Sequence, residues 1–145
     1  MNAENIFLIA NTTALLSWIF LAVAPRWKWT QLIVGEIIIL LLAAAYLILV
    51  VLFFGQAEGG FSSLPDVMKL FTNKNVALAG WIHYLAFDLF VGVWETRDAR
   101  EKGISHWFVL PCLFLTFMFG PIGFLAYYGL RLIARRKNDA KGEAL

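Results

Sequence analysis

The sequence predicts an all-α, polytopic membrane protein, and three observations predict it. Of 145 residues, 61% are hydrophobic and only 15% are charged, against about 25% charged in an average soluble domain. No charged side chain occurs between Glu4 and Arg26, nor between Lys102 and Arg131, and each gap exceeds the roughly 20 residues that cross a hydrocarbon core. Strand-type alternation is missing, and lipid offers no partner to a free backbone group, so helices are the way across. A scattered net charge of +2 excludes a nucleic-acid-binding role.

Four spans follow, at 6–24, 32–54, 76–96 and 106–128. In the first, Ala22 and Ala24 have the small-residue spacing of a signal-peptide cleavage site. Residues 1–5 hold no Lys or Arg, however, and the apolar stretch is longer than a typical h-region, so the segment reads as a retained span with no transit peptide ahead of it. It stops at Pro25-Arg26-Trp27, and the second span breaks at Gly55 and Gly59-Gly60. Between spans two and three, Ser63 caps a short helix with Pro65 in its first turn. Leu64, Val67, Met68 and Phe71 then share one face, which makes 61–72 an interfacial amphipathic helix. From His106 to Ile133 a continuous helix measures about 42 Å. Pro121 removes a donor and crowds the preceding turn, so a kinked fourth helix is expected there, with a re-entrant or split segment as the alternative, followed by a basic polar tail at 134–145. The whole reads as a single transmembrane bundle.

Charges beside the first three helices put loops one and three inside; a basic tail on the opposite side argues the reverse. Trp27, Trp29, Trp94 and Trp107 all fall at one interface in this layout. Cys112 sits in an apolar run and reads as an inert packed thiol.

Within the spans three ionisable residues are costly enough to suggest function: Glu36, His83 and Asp88. Helical geometry sorts them. Trp81, Tyr84, Asp88, Gly92 and Glu95 recur at three- and four-residue steps and share one face of the third helix. His83 lies about 140° around that helix from Asp88. Glu36 and Asp88 are each a short distance inside from loops on one side, which gives their carboxyls similar depth. Two carboxyls close together in a dry site do not both carry charge, leaving one acid and one base. His83 and His106 are separated by roughly 20 Å of depth, so no metal or haem is expected to bridge them, and no zinc or di-iron spacing is present.

The stretches Phe61-Ser62-Ser63-Leu64 through Met68-Lys69-Leu70-Phe71, then Gly80-Trp81-Ile82-His83-Tyr84-Leu85-Ala86-Phe87-Asp88-Leu89-Phe90, then Gly120-Pro121-Ile122-Gly123 resemble the abscisic-acid-deficient-four-like family. Its plant members are chloroplast membrane proteins required to make neoxanthin from violaxanthin. The resemblance implies a bacterial member, multi-pass in the plasma membrane, with four spans, a link to carotenoids and no cofactor.

Two functions are expected from residues and resemblance together. The first is an intramembrane isomerase acting on a carotenoid or related isoprenoid. Asp88 would be the acid, Glu36 or His83 the base, and Trp81, Tyr84, Gly92 and Glu95 the substrate-binding face. The second is a non-enzymatic accessory protein that binds carotenoid or lipid. Expected partners are membrane lipid and the isoprenoid ligand, with a second copy of the chain or a carotenoid enzyme as protein partner. Small-solute transport lacks the paired broken helices or inverted repeats it needs.

Overall fold

The computed structural model describes residues 2–142, with side chains as far as residue 135. Among the described residues all regular structure is helical. Three helices are long and apolar enough to cross a membrane: α1 (Ala3–Val23), α2 (Lys28–Gln56) and α4 (Lys74–Glu101). The others are α3 (Leu64–Leu70), α5 (His106–Phe119) and α6 (Pro121–Gly142). Side chains of the expected basic tail beyond residue 135 lie outside the described residues.

Local chemistry sets the helix ends. Asn2 caps α1 by accepting from the Asn5 amide, and Asn73 caps α4 by accepting from Asn75 and Val76, which satisfies donors a helix start leaves open. Gly103, with φ +65°, closes α4: the Ile104 amide reaches back to the Ala99 carbonyl at 2.8 Å, the six-to-one bond of a Schellman motif. Early in α2 a π-helical turn spans Ile33–Ile38. It sits beside Arg97, which donates through Nε to Gln31 Oε1 at 2.7 Å and through Nη2 to the Gln31 carbonyl at 3.1 Å. A widened turn is a common way to free such a carbonyl for an outside donor.

Helix α4 is the axis of the molecule and the most buried of the three long helices. One face meets α2 through Val93 and Arg97 against Gly35; α1, which also touches the start of α2, and the helices α5 and α6 pack around the rest.

The stretch 106–128, expected as one kinked span, is instead broken at Gly120 and folded back. Gly120 takes φ +50° and ψ −99°, a backbone that side-chain-bearing residues rarely adopt. Helix α5 starts beside the end of α1, where His106 Nε2 bonds the Ala22 carbonyl at 2.8 Å. Fourteen residues later, about 21 Å along a helix, Gly120 rests on Asp88, which is itself about 20 Å from the end of α4. Helix α6 then returns alongside α4. Trp94 packs edge-on to Tyr127 with centroids 5.4 Å apart. Tyr127 Oη and Arg131 Nε donate to Asp98 Oδ2 at 2.7 and 3.0 Å. Helices α5 and α6 are thus a re-entrant hairpin whose tip lies at the depth of Asp88. Gly120 is buried, as irregular backbone at membrane depth must be.

Candidate functional site

The α4 face that carries Asp88 forms one wall of a cavity of about 340 Å³. Trp81, Tyr84 and Asp88 come from α4, Asn11 and Trp18 from α1, and Phe117 from the hairpin. Among the described lining residues Asp88 is the one carboxylic acid. Its Oδ2 is buried without a hydrogen-bond partner. An orphaned carboxyl oxygen beside apolar walls is costly, and a catalytic role or an ordered water or ion accounts for such groups.

The other polar groups of the wall are held. Tyr84 Oη donates to the Phe117 carbonyl at 3.2 Å, locking the ring beside the hairpin tip. Trp81 Nε1 donates to Asn11 Oδ1 at 2.8 Å across the α1–α4 seam. Trp81 also packs on Tyr84, with centroids 5.3 Å apart, so two aromatic faces lie side by side next to the carboxyl.

Two further cavities flank it along the same face of α1. Towards the start of α1, Trp81 also walls a cavity of about 280 Å³ that opens at Glu4 and Lys74. Towards its end, Leu15, Trp18 and Phe117 are shared with a cavity of about 300 Å³ between α1 and α5 that reaches Ala22 and Leu110. From Ala3 to Ala22 the row extends about 28 Å, close to the thickness of a hydrocarbon core.

The remaining candidates from the sequence do not join this cavity. Glu36 is 59% exposed and faces Arg97 at 3.9 Å. Because α2 packs on the far face of α4, similar depth does not bring Glu36 to Asp88. His83 is exposed and stacks on Phe87 with centroids 4.6 Å apart, its other neighbour being Tyr46 of α2. The 140° offset around α4 turns it away from Asp88. Gly92 is filled by α1: an added Cβ would stand 2.5 Å from Trp18 Cη2, so it admits a helix rather than a ligand. Glu95 is fully buried, accepts from Thr116 Oγ1 at 2.8 Å and leaves Oε2 unpartnered. It joins α4 to the hairpin outside the cavity lining.

Sequence reading missed Asn11, Phe117 and Gly120. Asn11 carried a usable signal, an amide in an otherwise apolar span; Gly120 was marked as a break beside Pro121 but not as a neighbour of Asp88, and Phe117, placed by the hairpin, had no signal. Compared with known proteins, the chain matches no curated protein and no solved structure. The family model described as ABA DEFICIENT 4-like matches residues 5–127. With most of its length matched, from the first span to the returning arm of the hairpin, the chain belongs to the ABA DEFICIENT 4-like family.

Proposed function

We propose that this membrane protein binds a carotenoid or related isoprenoid along the α1 face, in a bacterial plasma membrane, and isomerises it with Asp88 as the acid. The observation that carries this reading is the unpartnered Asp88 oxygen in the wall of an apolar, aromatic cavity. A row of cavities about as long as the hydrocarbon core is thick suits a rod-like polyene, and Trp81 and Tyr84 offer ring faces for it to stack on.

For an epoxide-to-allene rearrangement the protons balance on one residue. Asp88 gives its proton to the epoxide oxygen as a carbon–oxygen bond breaks, and the carboxylate left behind removes a proton from carbon as the allene forms. One hydroxyl and one new double bond result, with no electron acceptor required. Since Glu36 and His83 lie elsewhere, the base is the conjugate carboxylate of Asp88 itself, using its two oxygens in turn.

The test is pigment profiling of cells carrying no protein, the wild type or Asp88→Asn. The variant keeps the shape but has no proton to give, so product should fall by about the 10²–10⁴-fold that general acid–base groups supply, while pigment still co-purifies. Undiminished product rejects the acid role. The contact between Asp88 and Gly120 favours a second reading, in which the carboxyl packs the hairpin tip and the protein presents pigment to a carotenoid enzyme. Asp88→Asn then leaves product formation to that partner and unchanged.

A further inference from the structure

At the end of the molecule where α1 meets α5, a small cavity of about 20 Å³ is lined by Arg26, Arg100, Thr96 and His106, among others. No carboxylate lines it. Most neighbouring cations are committed: Arg97 to Gln31 and Glu36, Lys102 and Arg131 to Asp98, while Lys28 lies over the Trp29 ring. Among the described residues neither Arg26 nor Arg100 has an ion pair or a side-chain hydrogen bond. Two arginines without an anionic partner therefore line one pit that no carboxylate lines.

Its surroundings say where that spot lies. Trp27, Trp29 and Trp107 are exposed, the last at 79%, and all flank the loops that supply Arg26 and the start of α5. Exposed tryptophans at span ends mark the headgroup layer. The anchoring bond from His106 to the Ala22 carbonyl fixes the start of α5 against the end of α1, which holds the walls of the pit in register. A volume of this size admits about one oxygen atom, leaving the rest of an anion outside it, under the two forks. Planar guanidiniums match phosphate oxygens bidentately.

We propose that Arg26 and Arg100 form a binding site for a phosphate group, carried by a lipid headgroup in the adjoining leaflet or by a free anion. The site stands apart from the Asp88 cavity and does not depend on the isomerase reading.

The experiment is native mass spectrometry of the full chain purified with an equal mixture of phosphatidylcholine and phosphatidylglycerol. Two basic side chains at an anionic surface are expected to give about a 30-fold preference for the anionic lipid. Arg26→Gln with Arg100→Gln should lower the preference by about that factor, whereas Lys28→Gln, a single charge lost from the same loop, should lower it by no more than about fivefold. Both arginines are exposed and unpaired, so the pair of substitutions is not expected to disturb folding. Wild type alone also decides the matter, since equal retention of the two lipids overturns the proposal. So does a double variant that keeps the preference. Excess inorganic phosphate separates the sources: displacement of phosphatidylglycerol supports a site satisfied by the phosphate group alone, and its persistence supports a headgroup held in the bilayer.

Discussion

Gly120 and Asp88 show how one backbone position can decide a site. With φ at +50° a side chain at 120 is strained before it touches anything. A Cβ there would also stand 2.8 Å from Asp88 Oδ1 and 3.1 Å from Oδ2. The missing Cβ therefore lets the chain reverse inside the membrane and lets the acid sit against the reversal. Gly120→Ala should destabilise the protein by about 1–3 kcal/mol, the usual range for a non-glycine residue forced into such backbone, read from thermal unfolding in detergent by tryptophan fluorescence. Adding Asp88→Ala should recover the steric part and leave the backbone part, so the double variant costs less than the sum. Strict additivity would mean that the two residues do not touch.

Among the elements, α3 was legible because its signals are local, and its start is a dense example. Ser62 and Ser63 hydroxyls both donate to Asp66 Oδ2 at 2.7 Å, while Ser63 Oγ accepts from the Asp66 amide at 3.2 Å. Lys69 pairs with Glu58 at 2.8 Å and ties the preceding loop to the helix. These hydroxyls, Ser63 first, hold the Asp66 carboxyl below its ordinary 3.8. Lys69 holds Glu58 below 4.5, through its hydrogen bond first and its charge second. A lowered carboxyl binds its proton less readily in the ordered loop than in the disordered one. Its contribution to order is thus complete above the ordinary value and is lost as pH falls through the lowered one. Titration of the side-chain carboxyl carbons by NMR should give midpoints under 3.8 and 4.5, and Ser63→Ala should raise that of Asp66; midpoints at the ordinary values would show the bonds to be absent. The three long apolar helices were equally plain in the sequence, since hydropathy is a property of each segment by itself. The hairpin was not. Residues 106–133 are apolar throughout, and Gly120-Pro121 announces a break without saying whether the chain bends or reverses. That choice rests on distant residues: Asp88 against Gly120, Glu95 with Thr116, and Asp98 with Tyr127 and Arg131. The site divides along the same line. Periodicity found the Trp81, Tyr84 and Asp88 face of α4, but depth alone misplaced Glu36, because depth does not say on which side of α4 the second span packs.

For the whole molecule the hairpin changes the count of crossings. Helices α1, α2 and α4 are long and apolar enough for three crossings, and α5 and α6 form a hairpin that returns to the end of the molecule where α4 ends. The start of α1 and Arg131 therefore lie on opposite sides, whereas four full crossings would put them on the same one. The same geometry removes the disagreement between the loops and the tail, because it puts their basic residues at one end of the bundle. Arg26, Lys28, Arg97, Arg100, Lys102, Arg131 and Arg135 now gather on one side, against Lys69 and Lys74 on the other. Basic residues beside span ends stay in the cytoplasm, so the prediction is that loops one and three and the arm after Arg131 face inwards and the start of α1 faces out. That side also presents Arg26 and Arg100 to the leaflet whose surface carries negative lipid. Single cysteines introduced at Asn2 and at Arg135 in a Cys112→Ser background, labelled in intact cells with a membrane-impermeant maleimide, test this directly. Asn2→Cys should label at once, and Arg135→Cys only after the cells are opened. Labelling of both from outside, or of neither, would mean that the stretch after His106 crosses completely, and the hairpin would then have to open at Gly120, carrying Phe117 and the roof of the Asp88 cavity away with it.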